Sequence, residues 1–228
     1  MGSIIGYISS STFSMVYKKF IGFSLVLMLF ALPLFAQKMV SDGSVIYAVS
    51  VIKGKDNQAI ADAFDGATLT VAFKGAMART DLKSTLRQQT VFYNSKDGSA
   101  VILKESGAEK YMINLTPAQW QQYNRKFDGV KFTNGADTKI IQGVNCQKAT
   151  GTLKDGSVIE VYYATDLKPI ASGYEYAFKD LPGLPLQYEI TMGNIVVRYT
   201  ATSLQSVPVS SSTFDLPKAG YKLLDFKQ

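Results

Sequence analysis

The feature that most constrains the fold is a regular alternation of short strand-like segments with turn sequences. From Ser44 onward, segments rich in β-branched and aromatic residues are broken by turn dipeptides about every ten residues. The tetrapeptide KDGS occurs twice, at 96–99 and 154–157, and its Asp-Gly pair can supply the two central positions of a type I′ turn. Repeated tight turns indicate consecutive hairpins, so the sequence predicts an antiparallel sheet.

Two-residue loops determine which residues face each other across a hairpin. We expect such loops at Asp97-Gly98, Ser106-Gly107 and Asp155-Gly156. The resulting predicted pairs are Phe92–Leu103, Tyr93–Ile102, Lys104–Glu109, Ile102–Tyr111, Leu153–Val158 and Cys146–Thr165.

A further hairpin, around Gly193-Asn194, has the clearest pattern of apolar and polar residues. Its predicted pairs are Tyr188–Tyr199, Ile190–Val197, Met192–Ile195 and Leu186–Ala201. Because alternate residues of a strand face the same side, these eight residues form one almost wholly apolar face. The reverse face is mainly polar and places Glu189 opposite Arg198. The apolar face must therefore be covered by another element.

One helix has unusually complete end signals. They are an N-cap, a proline at the first helical position and the partner residue of a capping box, at Thr116, Pro117 and Gln119. Within it, Trp120, Tyr123 and Phe127 share one side by helical spacing. We expect this aromatic stripe to pack on the apolar face of the sheet, either as ordinary core or as a lid over an apolar cavity. A second short helix is predicted in QAIADAFDG.

The segment KDLPGLPLQYEI, residues 179–190, predicts a bend that leads into the last hairpin. Pro182 and Pro185 cannot donate hydrogen bonds to a sheet, so pairing is expected to begin at Leu186. The three leucines of the segment can pack inward. We expect either an apolar bend only or a loop that gates a pocket.

The N-terminal region predicts a secretory signal peptide. Two lysines precede an apolar run that ends at Phe35, and the small residue Ala36 follows. The run is shorter than the ~20 residues that a membrane-spanning helix needs. We therefore expect residues 1–14 to be an upstream extension and cleavage to follow Ala36. Residues 37–228 would then form a single β-rich domain in the periplasm or outer envelope that does not span the membrane.

Composition excludes several kinds of catalytic and metal site. The chain has no histidine, which Ser-His-Asp and Cys-His catalysis and the usual zinc and iron sites require. No spacing singles out two carboxylates as a glycosidase pair, and the aspartates beside glycines are turn residues rather than calcium ligands. We therefore predict a protein that is not an enzyme, with no catalytic residues, no metal site and no cofactor.

Charge and cysteine content exclude further kinds of partner and of covalent stabilisation. The formal net charge of +6 includes no long basic run, so no nucleic-acid partner is expected. The single cysteine, Cys146, excludes an intramolecular disulfide. We expect it to be a buried and inert residue, although Lys148 on the same strand face would favour the thiolate of a reactive one.

Three segments resemble a known family. They are TKIIQGVNCQKATGTLKDGSVIEVYYATDLKP, DLPGLPLQYEI and FDLPKAGYKLL, from Thr138 to Leu224. Together they resemble the GLPGLI-type proteins, secreted envelope proteins of Gram-negative bacteria whose function is unknown and which supply no catalytic residues. The eponymous segment reads DLPGLP here, so its first Gly and last Ile are replaced. At the level of fold, the pattern is similar to the periplasmic lipoprotein carriers (LolA-like), in which a curved antiparallel sheet is closed by helices around a hydrophobic cavity.

The sequence thus predicts a mainly β member of the α+β class. One curved antiparallel sheet, a half-barrel built of consecutive hairpins, would have one or two short helices covering its apolar face. The leading hypothesis is a binding protein that holds a lipidic or apolar ligand, or an apolar segment of an envelope protein partner. The alternative is a structural or interaction protein with a packed interior. The candidate ligand-binding residues are Trp120, Tyr123, Phe127, Tyr188, Ile190, Val197 and Tyr199.

Overall fold

Most of the described chain is β-strand. The computed structural model describes Gly2 and residues 38–55 and 58–227. The first seven strands are Lys38–Val40 (β1), Asp42–Lys53 (β2), Thr68–Lys74 (β3), Met77–Lys83 (β4), Gln88–Asn94 (β5), Ser99–Ser106 (β6) and Glu109–Leu115 (β7). The others are Lys131–Ile141 (β8), Val144–Thr152 (β9), Val158–Ala164 (β10), Leu167–Pro169 (β11), Leu184–Met192 (β12), Ile195–Gln205 (β13) and Lys222–Leu223 (β14).

Two short α-helices interrupt the strands, as predicted. They are Gln58–Phe64 (α1) and Pro117–Tyr123 (α2). Short 3₁₀ turns occur at Arg125–Phe127, Tyr176–Phe178 and Ser211–Phe214. The predicted signal peptide and its cleavage site lie outside the described residues. Within residues 38–55 and 58–227, no helix is both long and apolar enough to cross a bilayer.

The described strands form one large, open sheet of twelve strands. Its order is β14-β7-β6-β5-β4-β3-β2-β13-β12-β10-β9-β8. Two runs of sequential hairpins, β2 to β7 and β8 to β13, are joined where β2 pairs with β13. The pairing is antiparallel except for β14, which runs parallel to β7. A separate parallel pair joins β1 to β11. The prediction of a mainly β fold with one antiparallel sheet of hairpins is confirmed.

One face of the sheet carries the core. In β2, Val45, Tyr47, Val49 and Val51 are buried while the residues between them are half-buried or exposed. Cross-strand pairing extends this buried face from β2 to the strands on either side, because residues directly opposite each other point to the same side of the sheet. We call it the inner face. A row along it is formed by Tyr47, Leu69, Leu82, Gln89 and Lys104, and a second row by Val49, Tyr199, Tyr188, Val161 and Ala149.

The β12–β13 hairpin has the predicted register. Tyr188 pairs with Tyr199, Ile190 with Val197 and Met192 with Ile195. The pairing ends at Gln187 and Thr200, one position before the predicted pair of Leu186 with Ala201. Those two residues are nevertheless fully buried. On the reverse face, Arg198 donates to Glu189 at 2.7 Å, and because this ion pair is part-exposed it contributes less than about 1 kcal/mol.

The predicted registers around the two KDGS segments are wrong. Phe92 pairs with Val101 and Tyr93 with Ala100, across a four-residue loop. Cys146 pairs with Ala164 rather than with Thr165, because the second loop contains five residues. The predicted opposition of Leu153 and Val158 is also wrong, since Leu153 belongs to that loop and Val158 pairs with Thr152.

The cause lies in the turn chemistry of the repeat. In each KDGS segment the aspartate Oδ1 accepts hydrogen bonds from both the backbone N–H and the hydroxyl of the serine two residues later. This Asx turn keeps the aspartate at an ordinary negative φ, so that only the glycine has positive φ. Among the described residues, Gln142-Gly143 is the loop with positive φ at both central positions, as a type I′ turn requires.

The register of the β6–β7 hairpin is also wrong by two residues. Lys104 pairs with Tyr111 and Ile102 with Ile113, because the two-residue loop is Gly107-Ala108 instead of Ser106-Gly107. Gly107 has φ of +57°, and a glycine at the first central position suits a type II′ turn.

The segment 179–190 is a bend in which the chain makes very close contact with β10. Leu181, Leu184 and Leu186 are buried, as predicted. Pairing with β10 begins earlier than expected, at Leu184, which lies opposite Ala164. Pro185 lies opposite Tyr163, next to a β-bulge. The Pro185 carbonyl accepts a hydrogen bond of 2.7 Å from the Tyr47 hydroxyl. The bend lines a pocket of about 20 Å³, which is room for about one water molecule.

Gly183 is the position in this bend that tolerates no side chain. A Cβ there would lie 2.0 Å from the Ala164 carbonyl oxygen, so the backbone of β10 would have to move. We expect Gly183→Ala to lower the free energy of unfolding by about 3 kcal/mol or more, measured by urea denaturation.

The matched control is Gly135→Ala, where the nearest atom to the new Cβ is an oxygen 3.7 Å away and φ is not positive. This variant should change stability by less than about 1 kcal/mol. Equal stability of the two variants would show that the close approach at Gly183 is not a constraint.

Candidate ligand-binding site

Helix α2 begins as its sequence predicts. Thr116 Oγ1 accepts from the Gln119 N–H, and the Gln119 side chain accepts from the Thr116 N–H, which completes the capping box. The helix ends at Tyr123, before Phe127, which the sequence had placed within it. The chain continues as the 3₁₀ turn Arg125–Phe127 to Asp128. Both segments carry their aromatic side chains to the inner face of the sheet.

Two residues of the aromatic stripe, Trp120 and Tyr123, lie in a continuous row of ring contacts. Trp120 packs on Tyr93 of β5 with ring centroids 5.7 Å apart and stacks on Tyr123 at 5.9 Å. Phe226, near the C-terminus, contacts the other side of Tyr123 at 6.5 Å. The C-terminal segment therefore helps to hold α2 in place, which the sequence had not indicated.

A cavity of about 470 Å³ lies between the inner face and the α2 region. It is lined by Phe64, Leu69, Thr80, Leu82, Arg87, Gln89, Val91, Lys104, Trp120, Tyr123, Asn124, Lys126, Phe127, Tyr174, Glu175, Tyr176, Tyr188, Ile190, Met192 and Tyr199. A volume of this size is within the usual range for small-molecule sites.

The structure brings six of the seven predicted ligand-binding residues to this cavity. The lining residues among them are Trp120, Tyr123, Phe127, Tyr188, Ile190 and Tyr199. The seventh, Val197, is fully buried in the core and does not line the cavity. That these residues bind a ligand stays a prediction.

Stacked tyrosines form the wall contributed by the last hairpin. The Tyr188 and Tyr199 rings are 4.6 Å apart and nearly parallel. Tyr188 also makes edge contacts with Phe178 at 4.7 Å and with Tyr47 at 5.8 Å. These ring contacts stabilise the wall beyond the burial of its apolar area.

Glu175 places a carboxyl group among these aromatic rings. Burial raises its pKa to about 7, and the nearby Lys126 ammonium opposes part of that rise. Within residues 38–55 and 58–227, no hydrogen bond or ion pair reaches the carboxylate. Burial raises the pKa values of four nearby phenols, and the negative charge of Glu175 raises them further. These phenols belong to Tyr47, Tyr174, Tyr188 and Tyr199.

The polar residues of the cavity were not found from the sequence. Arg87, Lys104 and Lys126 lie in three different segments with no common motif, and the incorrect β5–β6 register hid the position of Lys104 opposite Gln89. Glu175 did have a local signal, because it is a charged residue between two aromatic ones in GYEYAF.

Cys146 is buried away from this site. It is 1% exposed, its thiol lies 3.5 Å from the Val144 carbonyl, and burial raises its pKa to about 11. Lys148, on the same strand face, is instead paired with Glu160 at 3.1 Å. The residues that the structure describes contain no cluster of three or more potential metal-ligating side chains.

Comparisons with known proteins add little to this description. No protein-family model matches the chain, and no curated protein matches it, so membership of the GLPGLI-type family stays a prediction. Solved structures with similar backbones include PNGF-II, at 16% identity and a TM-score of 0.49 over 81% of this chain. They also include MucB, at 13% identity and 0.41 over 81%, and LprF from Mycobacterium bovis, at 15% identity and 0.36 over 74%.

The chain spans 31% of PNGF-II, 60% of MucB and 88% of LprF. Such distant similarity carries no information about function. The site is therefore interpreted from the residues of this chain.

Glu175 predicts a pH-dependent stability. Between its ordinary pKa of 4.5 and the folded value of about 7, the folded state keeps a proton that the unfolded state has released. The contribution of Glu175 to the free energy of unfolding therefore falls as pH rises through this window and stays constant above it. We expect Glu175→Gln to be more stable than the parent by about 1–3 kcal/mol at pH 8, after allowance for partial exposure, and equal to it near pH 4.

Urea denaturation at pH 4 and pH 8 checks this expectation. The control Glu160→Gln changes a carboxylate on β10 that forms a surface ion pair. Relative to the parent, the free energy of unfolding of Glu160→Gln should not rise between pH 4 and pH 8. A stability difference between Glu175→Gln and the parent that is the same at pH 4 and pH 8 would contradict a buried carboxyl at Glu175.

Cys146 should react slowly with thiol reagents in the folded protein. Burial and the high pKa leave little accessible thiolate at pH 7.5. We expect labelling by iodoacetamide, followed by mass spectrometry, to be at least about 100-fold faster in denaturant than in buffer. Similar rates in both conditions would show that the thiol is accessible.

Proposed function

We propose that this protein is a non-enzymatic binding protein of the periplasm or outer envelope, and that it holds a lipidic or otherwise apolar ligand between its sheet and helix α2. The observation that carries the proposal is the cavity of about 470 Å³ on the inner face. Its proposed ligand contacts are Trp120, Tyr123, Phe127, Tyr188, Ile190 and Tyr199, with Val197 supporting the wall from the core.

The apolar part of the wall supports an apolar ligand chain. Leu69, Leu82, Val91, Ile190 and Met192 line the space together with the aromatic rings. A ligand chain that displaces water from such walls gains about 0.8 kcal/mol for each buried methylene group. The open space counts against the alternative of a structural protein with a packed interior.

The cellular location rests on the predicted signal peptide. Cleavage after Ala36 would release residues 37–228 as a single β-rich domain on the far side of the inner membrane. A carrier or receptor for apolar molecules has an evident use there, because such ligands cross an aqueous compartment poorly on their own. An apolar segment of an envelope protein is a second kind of occupant that the same walls would accept.

The single tryptophan allows a direct test of binding. Trp120 is the one tryptophan of the chain and lines the cavity, so its fluorescence reports on the site alone. We expect titration with dodecanol to change the emission of Trp120 in a saturable way. Ile190→Gln should weaken binding about tenfold, or about 1.4 kcal/mol, because it places an amide against the ligand chain.

The matched control is Ile140→Gln. Ile140 is 70% exposed on β8 and does not line the cavity, so dodecanol binding should be unchanged. Absence of any saturable change in the parent protein would refute the proposed function. Equal weakening by both substitutions would show that dodecanol binds elsewhere.

A further inference from the structure

We propose that the ligand of this cavity is a single-chain amphiphile with an anionic head group, held by a cationic rim formed by Arg87, Lys104 and Lys126. This inference rests on the proposed function and specifies the ligand class of the same site. It follows from the distribution of polar and charged groups around the cavity, which a simple hydrocarbon ligand would not use.

The inner face changes from polar to apolar along β5 and β6. The successive cross-strand pairs on this face are Gln89–Lys104, Val91–Ile102 and Tyr93–Ala100. Lys104 is exposed, whereas Ile102 and Ala100 are buried. Trp120 packs on Tyr93 at the apolar end. A ligand that lies along these strands therefore contacts a charged end and an apolar end, which match the two parts of an amphiphile.

Arg87 extends the charged end. It follows the tight turn that begins at Ser84, whose hydroxyl accepts from the Arg87 N–H. Its guanidinium lies 4.8 Å from the centre of the Phe64 ring, another residue of the cavity lining. Burial raises the pKa of Tyr123 and Tyr199, and the Arg87 charge opposes part of each rise, so its field reaches both aromatic walls.

Lys126 brings a third cation from the 3₁₀ turn after α2. Its ammonium lies 4.5 Å from the centre of the Phe127 ring, and burial lowers its pKa. Glu175 and Asp155 are the carboxylates whose charges act on it. Glu175 is the acidic residue of the cavity lining, so it offsets at most one of the three positive charges.

The rim residues have no ionic partner among the described residues, a property that they share with several other lysines such as Lys131. The part of the chain that the structure describes contains seven ion pairs, and none includes Arg87, Lys104 or Lys126. Three cations around one cavity attract a carboxylate or phosphate, since both anions accept hydrogen bonds from guanidinium and ammonium groups. They disfavour a cationic head group for the same reason.

The experiment compares ligands with the same chain and different heads. Trp120 fluorescence is titrated at low salt with dodecanoate, dodecyl phosphate, dodecanol and dodecyltrimethylammonium, each below its micellar concentration. We expect at least one anionic ligand to bind about tenfold or more tightly than dodecanol, and the cation to bind most weakly. High salt should reduce the anionic preference, because the rim is exposed.

Two variants assign the preference to the rim. The double variant Arg87→Gln with Lys104→Gln should abolish the anionic preference, measured as the ratio of the dissociation constants of dodecanol and the anionic ligand. Lys131→Gln, which removes an exposed cation on β8 outside the lining, should leave the preference intact.

The outcomes separate the two proposals. Equal binding of the anions and dodecanol, or tighter binding of the cation, overturns the head-group inference and leaves the proposed function standing. Loss of the preference in Lys131→Gln also overturns the rim assignment. Failure of all four ligands to bind overturns the proposed function and the inference with it.

Discussion

The burial of the inner face is the constraint on which the rest of the structure depends. The sheet is open, so elements outside the sheet must cover its apolar side, which water would otherwise contact. Helix α2, the 3₁₀ turn after it and the C-terminal Phe226 provide the cover. Because these elements are short, they close part of the inner face and leave the space that forms the cavity.

Aromatic contacts form much of the wall around this space. Tyr188 and Tyr199 stack on each other, and Tyr188 also packs on Phe178. Trp120 stacks on Tyr123 and packs on Tyr93 of the sheet. These ring contacts connect the last hairpin and helix α2 to the rest of the core.

The charged groups around the cavity are the least expected part of the structure. Stability alone favours an apolar or well-paired environment, yet the Glu175 carboxyl is desolvated and has no ion pair among the described residues. Such departures from the rules of stability are typical of functional sites. They are the reason for interpreting the space as a binding site rather than as a packing defect.

The sequence by itself determined the mainly β class, the β12–β13 register, the N-terminal cap of α2 and six residues of the cavity wall. Period-two patterning, capping and turn residues act over a few neighbouring positions, which is why these features could be predicted. It predicted the other loops wrongly where an Asx turn, or a shifted glycine, added or moved loop residues. Only the tertiary structure decided the cavity itself, its cationic rim and the position of Glu175. These depend on segments far apart in the chain, from Phe64 to Tyr199, and no local pattern encodes the distance between them.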